Sequence, residues 1–179
     1  MKSLLDVNCL IALFDEPHGS HLIVKDWFLR AESNGWLTCP ITENGCIRIL
    51  SSQGYARPKP AISVIHALRE AFKHPNHYFI ADDFSLTESG WLEPSLLTSS
   101  QVTDIYLLKL AIKNNARLVT LDQRIKYSAV EGAKPDDLLV LTDPESGDRA
   151  RRADLLAAQG KTVWKGNLEN LRRSGDKKR

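Results

Sequence analysis

Residues 101–122, QVTDIYLLKLAIKNNARLVTLD, have the pattern of an amphipathic helix, a short turn and a buried strand. Apolar side chains from Leu107 to Ile112 recur at helical spacing, and lysines lie on the opposite face. The pair Asn114-Asn115 is typical of a helix end, and residues 117–121 form a short apolar run of strand length. A helix followed at once by a buried strand is the repeating unit of an α/β fold.

The rest of the chain repeats this alternation. Strands are predicted over residues 2–5, 36–39, 77–81 and 138–141. Helices are predicted over residues 7–14 and 61–73, and two more begin after His21 and at Pro40, the last with Thr42 as its cap. Residues 82–100 are polar, and we predict a short helix near residues 86–91 and an edge strand near Leu96. Together these elements predict an α/β fold of three layers, α/β/α, with a central, mainly parallel sheet of about five strands.

Four carboxylates occupy equivalent places in this pattern. Asp104 and Glu43 each stand in the first turn of a helix on its apolar face, and Asp6 and Asp122 each follow a strand. Any one of them is ordinary, because acids cap helices and occur in turns. In a parallel sheet, however, ligands gather outside the carboxyl ends of the strands. We therefore expect the four acids to converge at that edge.

Carboxylates without a cluster of His or Cys suit a hard cation, Mg²⁺ or in its place Mn²⁺. Such a site can deprotonate a water and stabilise charge on a phosphodiester, so metal-dependent hydrolysis of that bond is its natural use. Asn8 and Thr120 lie two residues from acids and are placed to orient them by hydrogen bonds. A turn amide and a strand hydroxyl would explain the same two residues equally well.

Four segments of the chain resemble the PIN-domain ribonucleases, and within them the VapC-type toxins of bacterial toxin–antitoxin pairs. The segments are LLDVNCLIALF, CPITENGCIRIL, QVTDIYLLKLA and RLVTLD, within residues 2–142. The resemblance implies a PIN-like fold, an endoribonuclease that uses Mg²⁺ or Mn²⁺, a homodimer, and inhibition by a VapB-type antitoxin whose C-terminal segment lies over the active site. It also implies catalytic and metal-binding roles for Asp6, Glu43, Asp104 and Asp122.

Other functions are less well supported by the residues. Asp6-Val7-Asn8 is similar to the start of an aspartyl-phosphate phosphatase, but Asn8 stands where that family needs a second acid. The pairs His18/His21 and His74/His77 are interpreted as solvated side chains rather than metal ligands. A non-catalytic RNA- or protein-binding module with a PIN-like fold is the remaining alternative, and metal dependence of cleavage would separate the two.

Composition limits the class of protein. The 42% apolar content allows an ordinary core, no apolar run approaches a membrane span, and Asp6 interrupts the N-terminal apolar stretch, so no secretory signal is predicted. Three cysteines without metal-ligand spacing predict reduced, buried thiols in a cytoplasm. The candidate RNA contacts are surface cations, namely Arg48, Arg57, Lys59, Arg124 and Lys126. The target RNA, the number of metal ions and the identity of the antitoxin are not encoded in any recognisable motif.

The charge distribution separates a nuclease domain, residues 1–144, from a basic tail, residues 145–179. The first carries 14 Lys and Arg against 17 Asp and Glu, and the second carries 10 against 5. The tail is similar to the toxin-binding end of VapB antitoxins, and its docking residues would be Trp164, Leu168, Leu171, Arg172 and Arg173. Alternatively, the tail is disordered and concentrates RNA by phosphate attraction.

Overall fold

The structure is a computed structural model that describes residues 1–88 and 90–142. Its strands, in chain order, are β1 (Lys2–Leu5), β2 (Trp36–Thr38), β3 (His77–Phe79), β4 (Ala116–Thr120) and β5 (Leu138–Val140). They form one sheet in the order β3-β2-β1-β4-β5, and all four neighbouring pairs are parallel. The predicted five-stranded parallel sheet is therefore confirmed.

Helices cover both faces of this sheet. They are α1 (Val7–Phe14), α2 (His21–Ala31), α3 (Pro40–Leu50), α4 (Ala61–Ala71) and α5 (Val102–Lys113). Short 3₁₀ turns cover Glu32–Asn34, Pro94–Leu96, Ser99–Gln101, Tyr127–Ala129 and Pro135–Asp137. In the part of the chain that the structure describes, none of the helices is long and apolar enough to cross a membrane.

Two hydrophobic cores lie on opposite faces of the sheet because successive strand side chains alternate. Leu5 and Val119 face the core formed with α1 to α4, whereas Leu4 and Leu118 face the core formed with α5. All four side chains are fully buried. This arrangement is the three-layer α/β/α architecture, and it explains why the central strands read as continuous apolar runs. The cysteines at positions 9, 39 and 46 lie buried in these cores as free thiols.

Three local predictions were wrong. The described residues near 86–91 form turns rather than a helix, and Gly90 there has a φ of 79°, which helical residues do not adopt. Leu96 ends a 3₁₀ turn instead of forming a strand, since the neighbouring Pro94 lacks the N–H that a strand ladder needs. Cys39, not Thr42, is the cap of α3, and the Thr42 hydroxyl accepts a hydrogen bond from the Cys39 N–H.

The carboxyl edge of the sheet is where the helices begin. One residue separates β1 from α1, and one residue separates β2 from α3. Gly45 on α3 lets the two helices approach closely, because a Cβ at this position would lie only 2.6 Å from Cγ2 of Val7. The first turns of α1 and α3 are thereby held side by side, next to the ends of the strands.

Candidate active site

Asp6 is the central carboxylate of the site. It lies between β1 and α1 and is only 4% exposed. One oxygen, Oδ1, accepts the Val7 N–H at 2.6 Å as a helix cap, and Oδ2 accepts the side chains of Thr120 at 2.6 Å and Asn8 at 2.7 Å. Burial raises the pKa of Asp6, these hydrogen bonds oppose the rise, and the charge of Asp122 adds to it. The carboxylate is therefore fixed in orientation by three donors.

Asn8 and Thr120 form a bridge between the first turn of α1 and the end of β4. The Asn8 amide donates to the Thr120 hydroxyl at 2.9 Å, and its oxygen accepts the Leu121 N–H at 3.0 Å. The Thr120 hydroxyl also accepts the Asp122 N–H at 3.0 Å. Asn8 thus uses both amide hydrogens and its oxygen, which fixes the side chain. The two residues lie where an orienting role requires them, and that role stays a prediction.

Asp104 is a second carboxylate with a raised pKa at this edge. It stands in the first turn of α5 and is half-buried. Burial and the charges of Asp6 and Asp122 raise its pKa to about 6, against a partly compensating effect of Arg124. Within the described residues, its carboxylate makes no hydrogen bond or ion pair. A cation close to Asp104 would therefore favour the ionised form of its carboxylate.

Asp122 is paired with Arg124. The guanidinium donates to Oδ2 at 2.6 Å through a terminal nitrogen, and Nε donates to Oδ1 at 3.0 Å. The Arg124 N–H also reaches Oδ1, at 2.8 Å. These contacts lower the pKa of Asp122, in contrast to its neighbours. The pair lies at the surface, since the side chain of Arg124 is 76% exposed.

Glu43 has a separate partner. Its Oε1 accepts the hydroxyl of Thr38 at 2.6 Å, and that hydroxyl lies 2.9 Å from Nε2 of His77. Burial raises the pKa of Glu43 and the Thr38 hydrogen bond opposes the rise. The charges that raise the pKa of Asp104 come from Asp6 and Asp122. The structure therefore groups Asp6, Asp104 and Asp122 electrostatically and places Glu43 on the neighbouring helix start.

An open cleft of about 640 Å³ lies beside Asp6 and Asp104, whereas Glu43 and Asp122 are not part of its lining. Asp6, Asn8 and Asp104 line it together with residues of the first turns of α1 and α3. Its lining also includes Asn44 and Asp82, which were missed as site candidates. Asp82 follows β3 as Asp6 and Asp122 follow their strands, and this placement could have indicated it. Asn44 carried no comparable sequence pattern.

Comparison with known proteins identifies the family. Residues 3–131 match the model of the PIN domain, which covers more than half of the chain. The chain belongs to the PIN-domain family. Relatives from Mycobacterium tuberculosis named ribonuclease VapC place it among the VapC-type ribonucleases.

The PIN-domain relatives match over nearly their whole length. Ribonuclease VapC44 is 39% identical over 142 residues, which are 79% of this chain and 100% of the relative. Ribonuclease VapC38 is 36% identical over 144 residues, 78% of this chain and 99% of the relative. Ribonuclease VapC39 is 38% identical over 135 residues, 74% of this chain and 96% of the relative.

The acids of this PIN domain offer the oxygen ligands that a divalent cation prefers. Among the described residues, however, they do not form a complete metal site. Within residues 1–88 and 90–142, no group of three or more Asp, Glu, His or Cys side chains is arranged to hold a metal ion. Arg124 engages Asp122 and Thr38 engages Glu43. The donor chemistry still fits a hard cation, because oxygen ligands predominate and Asp104 carries a raised pKa without a partner.

The candidate RNA contacts of the PIN domain fall into three groups. Arg48 is exposed and lines the cleft, and Lys126 is exposed on the loop after β4. Arg124 is paired with Asp122, whereas Arg57 and Lys59 both contact the buried Asp15. RNA binding by these side chains stays a prediction. The docking residues Trp164, Leu168, Leu171, Arg172 and Arg173 lie outside the described residues.

The histidines of the PIN domain have structural partners. The ring of His21 is buried and bonds to the Ala12 carbonyl at 2.8 Å, so its interpretation as a solvated side chain was wrong. His77 is half-buried and stacks on Phe72, so the same interpretation was wrong there. Neither histidine belongs to a group that could hold a metal in the described part of the chain.

Proposed function

We propose that this protein is a metal-dependent endoribonuclease toxin that hydrolyses RNA phosphodiester bonds. The observation that carries the proposal is the state of Asp104. Its charge is disfavoured by burial and by Asp6 and Asp122, and no partner within the described residues neutralises it. Its relatives are named ribonucleases. Repelling carboxylates at the mouth of a cleft favour a divalent cation, the usual companion of phosphodiester hydrolysis.

Asp6, Glu43, Asp104 and Asp122 would hold Mg²⁺, for which Mn²⁺ could substitute. When bound, the ion lowers the pKa of a water and stabilises charge on the phosphate. For Asp122 to join, it must release Arg124. An exposed ion pair of this kind is worth only about 0–1 kcal/mol, so the exchange is not a serious obstacle.

The other residues of the site would orient and bind. Asn8 and Thr120 hold Asp6 in one orientation, so that its lone pairs point in a constant direction. Arg48 at the wall of the cleft can contact a backbone phosphate of the RNA. After Asp122 is released, Arg124 is a second cation free to contact phosphate. The cleft volume of about 640 Å³ is within the range of small-ligand pockets and can hold a nucleotide beside the acids.

Control by a VapB-type antitoxin, a homodimeric state and a cytoplasmic location complete the proposal. The first follows from the relatives' designation as VapC and the other two from the resemblance of the sequence. A non-catalytic RNA- or protein-binding module is the second candidate. The observation in its favour is that, among residues 1–88 and 90–142, the carboxylates are not arranged as a metal site.

Cleavage of RNA by the purified protein tests the proposal. Wild type should cleave with Mg²⁺ or Mn²⁺ and stop in EDTA. Asp104→Asn should lower the rate at least about 100-fold, since even partners outside the ligand shell contribute about 10- to 100-fold. Asp136→Asn, on an exposed 3₁₀ turn, is the matched control and should cleave normally. Cleavage that persists in EDTA would refute metal dependence, and binding of RNA without cleavage would favour the second candidate.

A further inference from the structure

Three residues from three elements form a hydrogen-bonded chain that ends on Glu43. Thr38, at the end of β2, is completely buried. Its hydroxyl lies 2.6 Å from Oε1 of Glu43 on α3 and 2.9 Å from Nε2 of His77 on β3. No other hydrogen bond reaches the Glu43 carboxylate from the described residues, so Oε2 is left available.

The single hydroxyl proton of Thr38 sets the direction of this chain. A carboxylate can only accept, so Thr38 must donate to Oε1 when Glu43 is ionised. The hydroxyl oxygen is then an acceptor for His77, and Nε2 of His77 must carry a hydrogen. If Nε2 lacked this hydrogen, Thr38 would have one proton for two acceptors. The tautomer of His77 therefore decides whether Thr38 can hold an ionised Glu43.

The surroundings of His77 fix its ring in place. It stacks on Phe72 with ring centroids 4.2 Å apart and an interplanar angle of 7°, packs against Trp36 with centroids 4.3 Å apart, and forms a hydrogen bond with the backbone of Phe72. Burial lowers the pKa of His77 to about 4, so the ring is neutral at physiological pH and has one hydrogen to place. Because the Thr38 hydroxyl and the Phe72 backbone both lie within reach of the ring, the positioning role requires this one hydrogen to lie on Nε2.

We propose that Thr38 and His77 are positioning residues that hold Oε1 of Glu43 and leave Oε2 for the metal ion or its water. This inference rests on the proposed nuclease function. Neither residue carried a sequence pattern that pointed to it. The parallel pairing of β2 with β3, in which Trp36 lies opposite His77 and Thr38 lies opposite Phe79, brings the His77 ring next to Thr38.

Substitutions at Thr38 distinguish the effect of its hydroxyl group from the effect of its side-chain volume. Thr38→Val removes the hydroxyl with little change of shape, and Thr38→Ser retains it. We expect Thr38→Val to lower kcat about 10- to 100-fold with a small change in KM, and Thr38→Ser to recover most of the loss. A thermal unfolding curve for each variant shows that the fold is kept.

Substitution at His77 tests the far end of the chain. His77→Phe retains an aromatic ring between Phe72 and Trp36 but removes the donor. It should lower kcat about 10-fold, while the same change at the exposed His66 on α4 should leave kcat unaltered. In wild type at neutral pH, nitrogen-15 NMR of the imidazole should show His77 with its hydrogen on Nε2.

The outcomes distinguish this inference from the proposed function. An active wild type with an equally active Thr38→Val, or a His77 hydrogen on Nδ1, would refute the positioning role alone. A wild type that cleaves no RNA in Mg²⁺ or Mn²⁺ would refute the proposed function and the positioning role with it. Loss of kcat in Thr38→Val with recovery in Thr38→Ser supports both.

Discussion

Two neighbouring aspartates of the site have pKa values shifted in opposite directions, because their burial and their partners differ. Asp104 and Asp122 lie at the same sheet edge, yet the pKa of Asp104 is raised to about 6 and that of Asp122 is lowered. Arg124 makes the difference, since it donates to Asp122 and acts on Asp104 only at a distance. The charge of Asp104 is therefore less favourable than that of Asp122, and a cation near Asp104 would stabilise it.

Asp104→Asn should stabilise the metal-free protein at neutral pH. The pKa of Asp104 rises from 3.8 to about 6 on folding, so the folded state keeps a proton that the unfolded chain has released between these values. Stability therefore falls as pH rises through this window. We expect the free energy of unfolding of the variant to exceed that of wild type by on the order of 1 kcal/mol at pH 7.5, after allowance for partial exposure, and to equal it at pH 4. Urea unfolding in EDTA measures it.

The control for this prediction is Glu131→Gln, at an exposed carboxylate outside the acid group. It should leave the free energy of unfolding unchanged at both pH values. If Asp104→Asn destabilised the protein at pH 7.5, the unfavourable charge assigned to Asp104 would be wrong. Equal gains at pH 4 and 7.5 would point to packing rather than to ionisation.

At the level of elements, the packing of α1 on α3 sets the distance between Asp6 and Glu43. Gly45 is the contact point, and an added Cβ would lie 2.6 Å and 3.0 Å from the two methyl carbons of Val7. Such distances require one helix to move, because Val7 is β-branched and its rotamers are restricted. Gly45 therefore affects both the packing of the two helices and the positions of the site residues that they carry.

Gly45→Ala should destabilise the protein and lower its cleavage rate. In an ordinary helix this change gains about 0.5–1 kcal/mol. Overpacking costs about 1–3 kcal/mol, so we expect a net loss of about 1–2 kcal/mol in urea unfolding. Gly54→Ala, at an exposed turn with open space, is the control and should be neutral or stabilising. Val7→Ala should restore the Gly45→Ala variant; failure to restore it would contradict the steric explanation.

A buried ion pair fastens the end of α1 to the loop between α3 and α4. Asp15 follows α1, is fully buried, and accepts Tyr55 and Arg57, each at 2.7 Å, with Lys59 at 3.4 Å. Burial alone would raise the pKa of Asp15, but these partners outweigh it and lower the pKa to about 2. Arg57 and Lys59, two of the candidate RNA contacts, therefore take part in a structural ion pair.

Asp15→Asn should cost about 2–3 kcal/mol at pH 7, below the usual 3–5 for a broken buried pair because Arg57 can reach water. A folded pKa below the unfolded value gives a contribution that is present above pH 4 and lost as pH falls towards 2. The difference between wild type and variant should therefore be much smaller in urea unfolding at pH 2.5 than at pH 7. Glu16→Gln, at the exposed neighbour, should have no effect; a constant difference between Asp15→Asn and wild type at both pH values would contradict the assignment.

For the whole molecule, the sequence was sufficient for the fold but did not predict the hydrogen-bond partners of the acids, whose roles as metal ligands stay a prediction. Leu4-Leu5 in β1 and Leu118-Val119 in β4 are consecutive apolar residues, so burial on both faces of these strands could be predicted. The Thr38–Glu43 and Asp122–Arg124 contacts depend on side-chain directions that periodicity does not encode. The buried Asp15 was missed because a single acid before a proline-containing loop has the same pattern as a surface turn.

Removal of residues 145–179 should leave the fold intact and raise the ribonuclease rate. The sheet and both cores are built from residues 2–141, so thermal unfolding should be unchanged within about 2 °C. The rate should rise because the tail is predicted to dock on the acids as an antitoxin segment does. An unchanged or lower rate would contradict docking, and a salt-sensitive loss of RNA affinity would favour the alternative role of the tail.

Direct titration of Mn²⁺ is the measurement that tests the acid group as a metal site most directly. Calorimetry on the full chain should show saturable binding, weakened at least about tenfold in both Asp6→Asn and Asp104→Asn and unchanged in Asp136→Asn. The ion should also raise the melting temperature of wild type, since it binds the folded state. Absence of saturable binding to wild type, or equal affinity in Asp104→Asn, would contradict a metal centre built on these carboxylates.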